Sequence, residues 1–190
     1  MPDKDGAYRN SPYIDVSYKW GSEGLLSNIR DLIKFGNAML YSYQAGSIND
    51  NDTTYTKPGF LKPDTMKMLW SRVQPNHPMR RNERGMGMGW MIRSEKRPNG
   101  QSDEKVDIFY HTGGAVGGAS VLVIVPTQTP KEQDGQNCET QSTSFTNKLN
   151  NQHMGTKGVV VGIICNMDSD FTFNILYRMA VKMAFIFMDS

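Results

Sequence analysis

The chain has 190 residues, which is enough for one domain with a hydrophobic core and too few to expect two. Its formal net charge is +2, and the acidic and basic residues are interspersed, which argues against a nucleic-acid-binding protein. Only 38% of the residues are apolar, because polar residues are concentrated in two stretches, 44–58 and 127–157. We therefore predict one domain, residues 1–190, with a polar low-complexity insert at 127–157.

The two cysteines, Cys138 and Cys165, are too few for a disulfide framework, and we expect reduced thiols. Residues 1–10 are acidic and no apolar run follows them, so we predict neither a signal peptide nor a transit peptide. Residues 171–188 are apolar enough to suggest a membrane span. However, Asn174, Arg178 and Lys182 recur along one helical face, which favours an amphipathic docking helix.

Two helices are predicted before the first strand. Apolar residues recur at helical spacing over 27–41, with Ser27 as the natural N-cap and Asp31 in the first turn. A shorter helix is predicted over 63–70, because Pro63 suits a first helical turn. The stretch between them is predicted to be a loop.

Four strands and a final helix are predicted after residue 84. The strands are expected at 85–93, 106–111, 119–125 and 159–165, and the helix at 171–188. Residues 96–105 contain a Pro-Asn-Gly turn and predict a hairpin connection. Because no long crossover separates the strands, we predict an antiparallel sheet with packed helices, an α+β fold.

The segment His111-Thr112-Gly113-Gly114 is the strongest candidate for a functional site. We predict that it ends one strand and begins a glycine-rich turn, after which the next strand returns. It combines an imidazole and a hydroxyl with glycines that let a substrate approach the backbone closely. This combination is typical of the edge of an acyl-transfer site.

Several motifs in a consistent order resemble the serine β-lactamase-like family, which includes class C β-lactamases, DD-peptidases and related esterases. The resemblance covers most of the chain outside the polar insert and matches the C-terminal part of that fold, without its N-terminal helical part. It is closest to a mitochondrial branch found in animals, which implies a mitochondrial location. The motifs that carry it are Trp20-Gly21, the run 24–40, Met88-Gly89-Trp90, the segment 111–114 and the strand 159–166.

The resemblance implies roles for the 111–114 segment. The family builds its site from S-x-x-K, Y-x-N and K-T-G, with H-T-G replacing the last motif in this branch. By this resemblance His111 and Thr112 contact the substrate carboxylate or relay a proton. Gly113 and Gly114 bind substrate, and the Gly114 N–H is one of two oxyanion donors. No metal site and no cofactor are expected.

The other two family motifs are matched here only in residue type, without the structural context that the family's chemistry requires. Ser102-Asp103-Glu104-Lys105 fits S-x-x-K, but it lies in an exposed acidic hairpin, not on the helical turn that must bring lysine over serine. Tyr8-Arg9-Asn10 fits Y-x-N, but it precedes the region of resemblance. We interpret both matches as chance.

The remaining candidates have structural interpretations. His77, between Asn76 and Pro78, is predicted to be a loop residue, and His153 falls in the polar insert with no partner at metal-ligand spacing in the sequence. The 13 methionines are best interpreted as core filling, and Trp90 as packing against the sheet.

Two hypotheses from different classes follow, and a third possibility is that the fragment does not fold alone, since its sheet would lack the helical domain that normally covers it. In the first, the chain is the C-terminal piece of a serine hydrolase of peptidase or esterase type, inactive alone, whose partner is a peptide or ester substrate. In the second, it is a non-catalytic interaction or structural module. Neither involves nucleic acid or a membrane span, and self-association into a homo-oligomer is left open.

Overall fold

A computed structural model describes residues 5–7, 10, 12–45, 58–73, 84–97, 105–127, 157–166 and 172–188. Within these ranges five strands form one sheet in the order β1-β2-β3-β4-β5, and each strand is antiparallel to its neighbours. The predicted α+β class with an antiparallel sheet and packed helices is confirmed. The strands are β1 (Arg84–Met86), β2 (Met91–Lys96), β3 (Lys105–Ala115), β4 (Gly118–Pro126) and β5 (Gly158–Cys165).

Four α-helices accompany the sheet in the described part of the chain, after a short 3-10 turn at Ser17–Lys19. They are α1 (Trp20–Glu23), α2 (Ile29–Ala45), α3 (Pro63–Leu69) and α4 (Thr172–Met188). None of these described helices is both long and apolar enough to cross a membrane. Asn174, Arg178 and Lys182 are exposed on α4 while its opposite face is buried, so the predicted amphipathic docking helix is confirmed.

The sheet is covered on both faces because side chains alternate along each strand. On one face, Ile108, Val121 and Val123 pack with the buried side of α4. On the other face, Leu122 and Ile124 pack with residues of α2 and α3. Strand β4, which lies between β3 and β5, is therefore buried on both faces.

Helix α2 begins two residues later than predicted. Its cap is Asn28, whose side-chain Oδ1 accepts a hydrogen bond from the Asp31 N–H at 3.1 Å. The Ser27 hydroxyl instead donates to the carbonyl oxygen of Asn28 at 3.3 Å. Ser27 as the N-cap was wrong, because both residue types can cap and only the backbone geometry selects between them.

The single strand predicted at 85–93 is also wrong, since the chain forms two strands here, and the described residues form five in all. The chain reverses at residues 87–90, where the Gly87 N–H donates to the carbonyl oxygen of Trp90 at 2.7 Å. Gly89 has φ of +73°, a conformation that favours glycine. The alternation of small and large residues that resembled one strand therefore spans a tight hairpin between β1 and β2.

Candidate functional site at the open edge of strand β3

The segment 111–114 lies inside β3, not in a turn as predicted. Strand β3 continues to Ala115, and Gly113 and Gly114 pair with Ser120 and Ala119 of β4. The turn comes later, at residues 116–117, where Gly117 has φ of +82°. Strand pairing with β4 therefore extends through both glycines, and the segment presents a strand edge.

One edge of this segment is open in the described part of the chain. Strand β2 pairs with β3 only as far as Met91 opposite Tyr110, and the chain then turns away through the hairpin at 87–90. From His111 to Ala115, β3 is paired with β4 on its other side. The hairpin therefore leaves backbone groups of the segment available to an extended ligand.

The four candidate residues divide between the two faces of the sheet. His111 and Gly113 share the face covered by α2, whereas Thr112 and Gly114 share the face covered by α4. His111, Gly113 and Gly114 are exposed, and Thr112 is partly buried opposite Val121. The edge therefore presents the exposed imidazole of His111, the partly buried hydroxyl of Thr112 and the exposed backbone of the two glycines.

Both glycines have neighbours where a side chain would be. A Cβ on Gly113 would lie 2.6 Å from Oγ of Ser120, whose hydroxyl donates to the Gly113 carbonyl oxygen at 3.4 Å. A Cβ on Gly114 would lie 2.3 Å from Cζ of Phe173 on α4. Because real Cβ contacts are never this short, glycine fits both positions without displacing a neighbour. Sequence reasoning missed Phe173, since no local pattern links it to Gly114.

An aromatic cluster lies on the α2 side of the sheet, next to the hairpin. Trp90 is 7% exposed and packs against Trp70 at a centroid distance of 5.7 Å and Phe35 at 6.3 Å. Trp70 in turn stacks on Phe109 of β3 at 4.1 Å. The prediction that Trp90 packs against the sheet is confirmed, and this cluster holds the hairpin in place at the start of the open edge.

The other sequence candidates do not join the segment in the described structure. Lys105 is the exposed first residue of β3, which is not the helical turn that S-x-x-K chemistry requires. Asn10 is exposed, and the described residues contain no group of three or more His, Cys, Asp or Glu side chains able to hold a metal ion. Other candidates lie outside the described residues, namely Tyr8, His77, Ser102, Cys138 and His153.

An antiparallel sheet covered by helices, with an H-T-G-G segment on an open strand edge, is consistent with part of a serine β-lactamase-like protein. No protein-family model matches the chain. The chain is nevertheless 40% identical over 161 residues to the serine beta-lactamase-like protein LACTB, mitochondrial, of Mus musculus. The proteins of the same name from Bos taurus and Homo sapiens are 42% and 41% identical over the same length.

Each match covers 84% of this chain and 26% of the relative. The chain is therefore related to the serine β-lactamase-like proteins over a segment equal to about a quarter of their length, and the predicted resemblance is confirmed. Because these relatives are named as mitochondrial, the resemblance also supports the predicted mitochondrial location.

Proposed function

We propose that the complete protein containing this chain is a serine hydrolase that cleaves an amide or ester through an acyl-enzyme, with peptide bonds as the favoured substrate. The observation that carries the proposal is the H-T-G-G segment on the open edge of β3. The nucleophilic serine and its lysine would come from an S-x-x-K motif outside these 190 residues. The 190-residue chain is accordingly inactive alone.

The open edge suits an extended substrate. An extended acyl chain can lie along the unpaired side of residues 111–115 and hydrogen-bond to the backbone as an added strand would. The glycines at 113 and 114 have no side chains to obstruct its carbonyl. Binding along the strand would orient the scissile bond towards the serine.

The segment would then assist the reaction in two ways, by stabilising the oxyanion and through the side chains of His111 and Thr112. When the serine Oγ attacks the carbonyl carbon, the oxyanion that forms accepts hydrogen bonds from the Gly114 N–H and from the serine's own N–H. The C–N or C–O bond breaks as the leaving group gains a proton, and water later hydrolyses the acyl-serine. His111 and Thr112 would contact the substrate carboxylate or relay this proton.

Covalent labelling tests the proposal directly. A fluorophosphonate or a labelled penicillin should modify the complete protein, and alanine in place of the S-x-x-K serine should abolish the signal. The same probe should leave the 190-residue chain unlabelled. An upstream sequence without S-x-x-K in a helical context would contradict the proposal, as would an unlabelled complete protein.

Replacing one side chain tests the role of Thr112. In the complete protein, Thr112→Val should lower kcat/KM about 10- to 100-fold, because a hydrogen bond to a charged group is worth roughly 1.5–3 kcal/mol. Stability should change little, since valine is close in shape and position 112 is only partly buried. Thr127→Val is the matched control, because Thr127 is exposed just after β4. Equal rates for both variants would rule out a substrate contact by Thr112.

The same edge favours a second candidate, a non-catalytic module. An unpaired strand edge can bind an extended segment of a partner protein without any nucleophile. The absence of a credible S-x-x-K motif from these 190 residues favours this alternative. Stoichiometric probe labelling of the 190-residue chain that survives denaturation would contradict it.

A further inference from the structure

The open edge of β3 needs an external support. Residues 111–115 are paired only with β4 in the described structure, and they include two consecutive glycines. Glycine has the largest backbone freedom of any residue, so an edge with this sequence is poorly suited to hold a donor in a fixed position. A preorganised oxyanion donor must nevertheless be held rigidly, because the catalytic effect depends on its alignment.

Helix α4 provides that support from one face. The ring of Phe173 lies against Gly114 so closely that a Cβ there would be 2.3 Å from Cζ and 2.9 Å from Cε1. Gly114 is still exposed, so the ring covers one face of the strand and leaves the backbone accessible. Phe173 also packs with the core cluster formed by α4 and the sheet.

The next turn of α4 is anchored at the other end of the segment. Tyr177 packs on Tyr110 with 4.2 Å between ring centroids, immediately before His111. Its hydroxyl donates to Oε1 of Glu95 at 3.0 Å, and the Arg93 guanidinium lies 5.6 Å from the ring centroid. Aromatic residues four apart on α4 therefore contact β3 at positions 110 and 114, on either side of His111, Thr112 and Gly113.

We propose that Phe173 is a positioning residue, whose ring fixes the backbone of Gly114 at the open edge and thereby aligns its N–H for catalysis. The inference rests on the proposed serine hydrolase function for its catalytic consequence. The packing of Phe173 on Gly114 can be tested without any activity. Both parts are measured in the complete protein.

The catalytic test compares two phenylalanines on the same helix. Phe173→Ala should lower kcat about 10- to 100-fold while KM changes less than about threefold, because a misaligned oxyanion donor acts mainly in the transition state. Phe185→Ala is the control, since Phe185 is 6% exposed in the same core cluster and lies three helical turns away. It should destabilise the protein more than Phe173→Ala and leave the kcat of the folded enzyme within about twofold. Phe173→Leu should restore part of the lost kcat, because leucine refills some of the space.

The structural test combines a double-mutant cycle read by thermal unfolding with the NMR order parameter of the Gly114 amide, which reports how rigidly an accessible N–H is held. Gly114→Ala should destabilise the wild type, and this penalty should largely disappear in the Phe173→Ala background, where the new methyl has room. The order parameter at Gly114 should fall in Phe173→Ala and not in Phe185→Ala. Additive stabilities and an unchanged order parameter would overturn the inference. If these results hold but the wild type reacts with no serine probe, the proposed function fails and the packing role of Phe173 stands.

Discussion

At the scale of single residues, the glycine in the middle of α2 allows this helix to pack closely against the sheet. A Cβ on Gly36 would lie 2.5 Å from Cγ1 of Val160 and 3.2 Å from Cδ1 of Leu122. Valine is stiff at χ1, so its methyl cannot easily move aside. Gly36 therefore lets α2 lie closer to β5 than any other residue would allow.

We expect Gly36→Ala to destabilise the protein. Overpacking a core contact costs roughly 1–3 kcal/mol, which offsets the helix-propensity gain of about 1 kcal/mol from replacing glycine by alanine. Gly21→Ala is the matched control, because nothing lies within 4 Å of a Cβ at that position in α1. Denaturant unfolding should show a lower midpoint for Gly36→Ala and an unchanged or higher one for Gly21→Ala. A higher midpoint for Gly36→Ala would mean that the helix can shift at no cost.

Two tyrosines make stability depend on alkaline pH. Burial, reinforced by the Asp107 carboxylate, raises the pKa of Tyr43 to about 12. Burial, followed by the charge of Glu95, raises the pKa of Tyr177 well above its usual range. A tyrosine in the unfolded chain has a pKa of about 10, so above that pH the unfolded chain loses the tyrosine proton while the folded chain still retains it. The two tyrosines therefore make their full contribution to the free energy of unfolding below about pH 10. Above that pH the free energy of unfolding falls by up to about 1.4 kcal/mol per pH unit for each tyrosine.

Replacing Tyr43 tests this linkage. Tyr43→Phe should lose less unfolding free energy than the wild type between about pH 10 and 12, because the variant has one ionisable group fewer to release a proton on unfolding. Tyr18→Phe serves as the control, since Tyr18 is 76% exposed. The measurement is denaturant unfolding across this pH range, together with tyrosinate absorbance. Identical pH dependence in both variants would contradict the role assigned to Tyr43.

At the scale of elements, the base of the polar insert is clamped to the end of α2. The buried Gln44 amide accepts a hydrogen bond from the Lys157 N–H at 2.9 Å and donates one to the Lys157 carbonyl oxygen. That carbonyl also accepts from the Thr127 N–H at 3.0 Å, beside the final pair of β4 and β5, Pro126 and Gly158. The two strands are thus joined at the insert's base by bonds made entirely by residues outside 128–156.

This clamp predicts that the insert can be shortened. Replacing residues 128–156 by a short Gly-Asn turn should leave the unfolding free energy unchanged or raise it by up to about 2 kcal/mol, because each halving of loop length lowers the entropy cost of closure by about 0.6 kcal/mol. Gln44→Ala should instead cost about 1–3 kcal/mol, because it removes the two hydrogen bonds that the buried Gln44 side chain makes to Lys157. Circular dichroism with thermal unfolding measures both. Loss of folding on shortening would show that the insert itself contributes to the core.

At the scale of the whole molecule, α4 has an apolar surface outside the core. This surface is a stripe of exposed side chains that runs along the helix beside the polar residues Arg178 and Lys182. The stripe consists of Ile175, Met179, Met183, Ile186 and Phe187. Leu25 and Leu26, just before α2, are 88% and 99% exposed. Exposed apolar area on this scale favours association with another surface.

We expect the isolated 190-residue chain to bind a hydrophobic dye and to self-associate at micromolar concentration. Ile175→Lys combined with Met183→Lys should reduce both effects without lowering the thermal midpoint, because neither side chain is in the core. Arg178→Lys is the control on the same helix. Dye fluorescence and analytical ultracentrifugation provide the measurements. A monomeric wild-type chain that binds no dye would contradict the prediction.

The sequence by itself determined the class of fold, most of its elements and the family resemblance. Apolar periodicity located α2 and α4 because burial of one helical face is a local pattern, and the lack of crossovers between strands predicted the antiparallel sheet. The identity of His111, Thr112, Gly113 and Gly114 as site candidates came from composition and motif order. None of this required distances between remote residues.

Only the tertiary structure decided where that segment lies and what supports it. The hairpin at 87–90 was hidden in an alternating pattern that fits a strand equally well, and its turn is what leaves β3 open beyond Tyr110. The choice of Asn28 over Ser27 as a cap depends on backbone geometry. The packing of Phe173 on Gly114 joins residues far apart in the chain, so no local pattern records it. Periodicity reports the burial of a face, and only the folded chain fixes which residue fills the space beside a glycine.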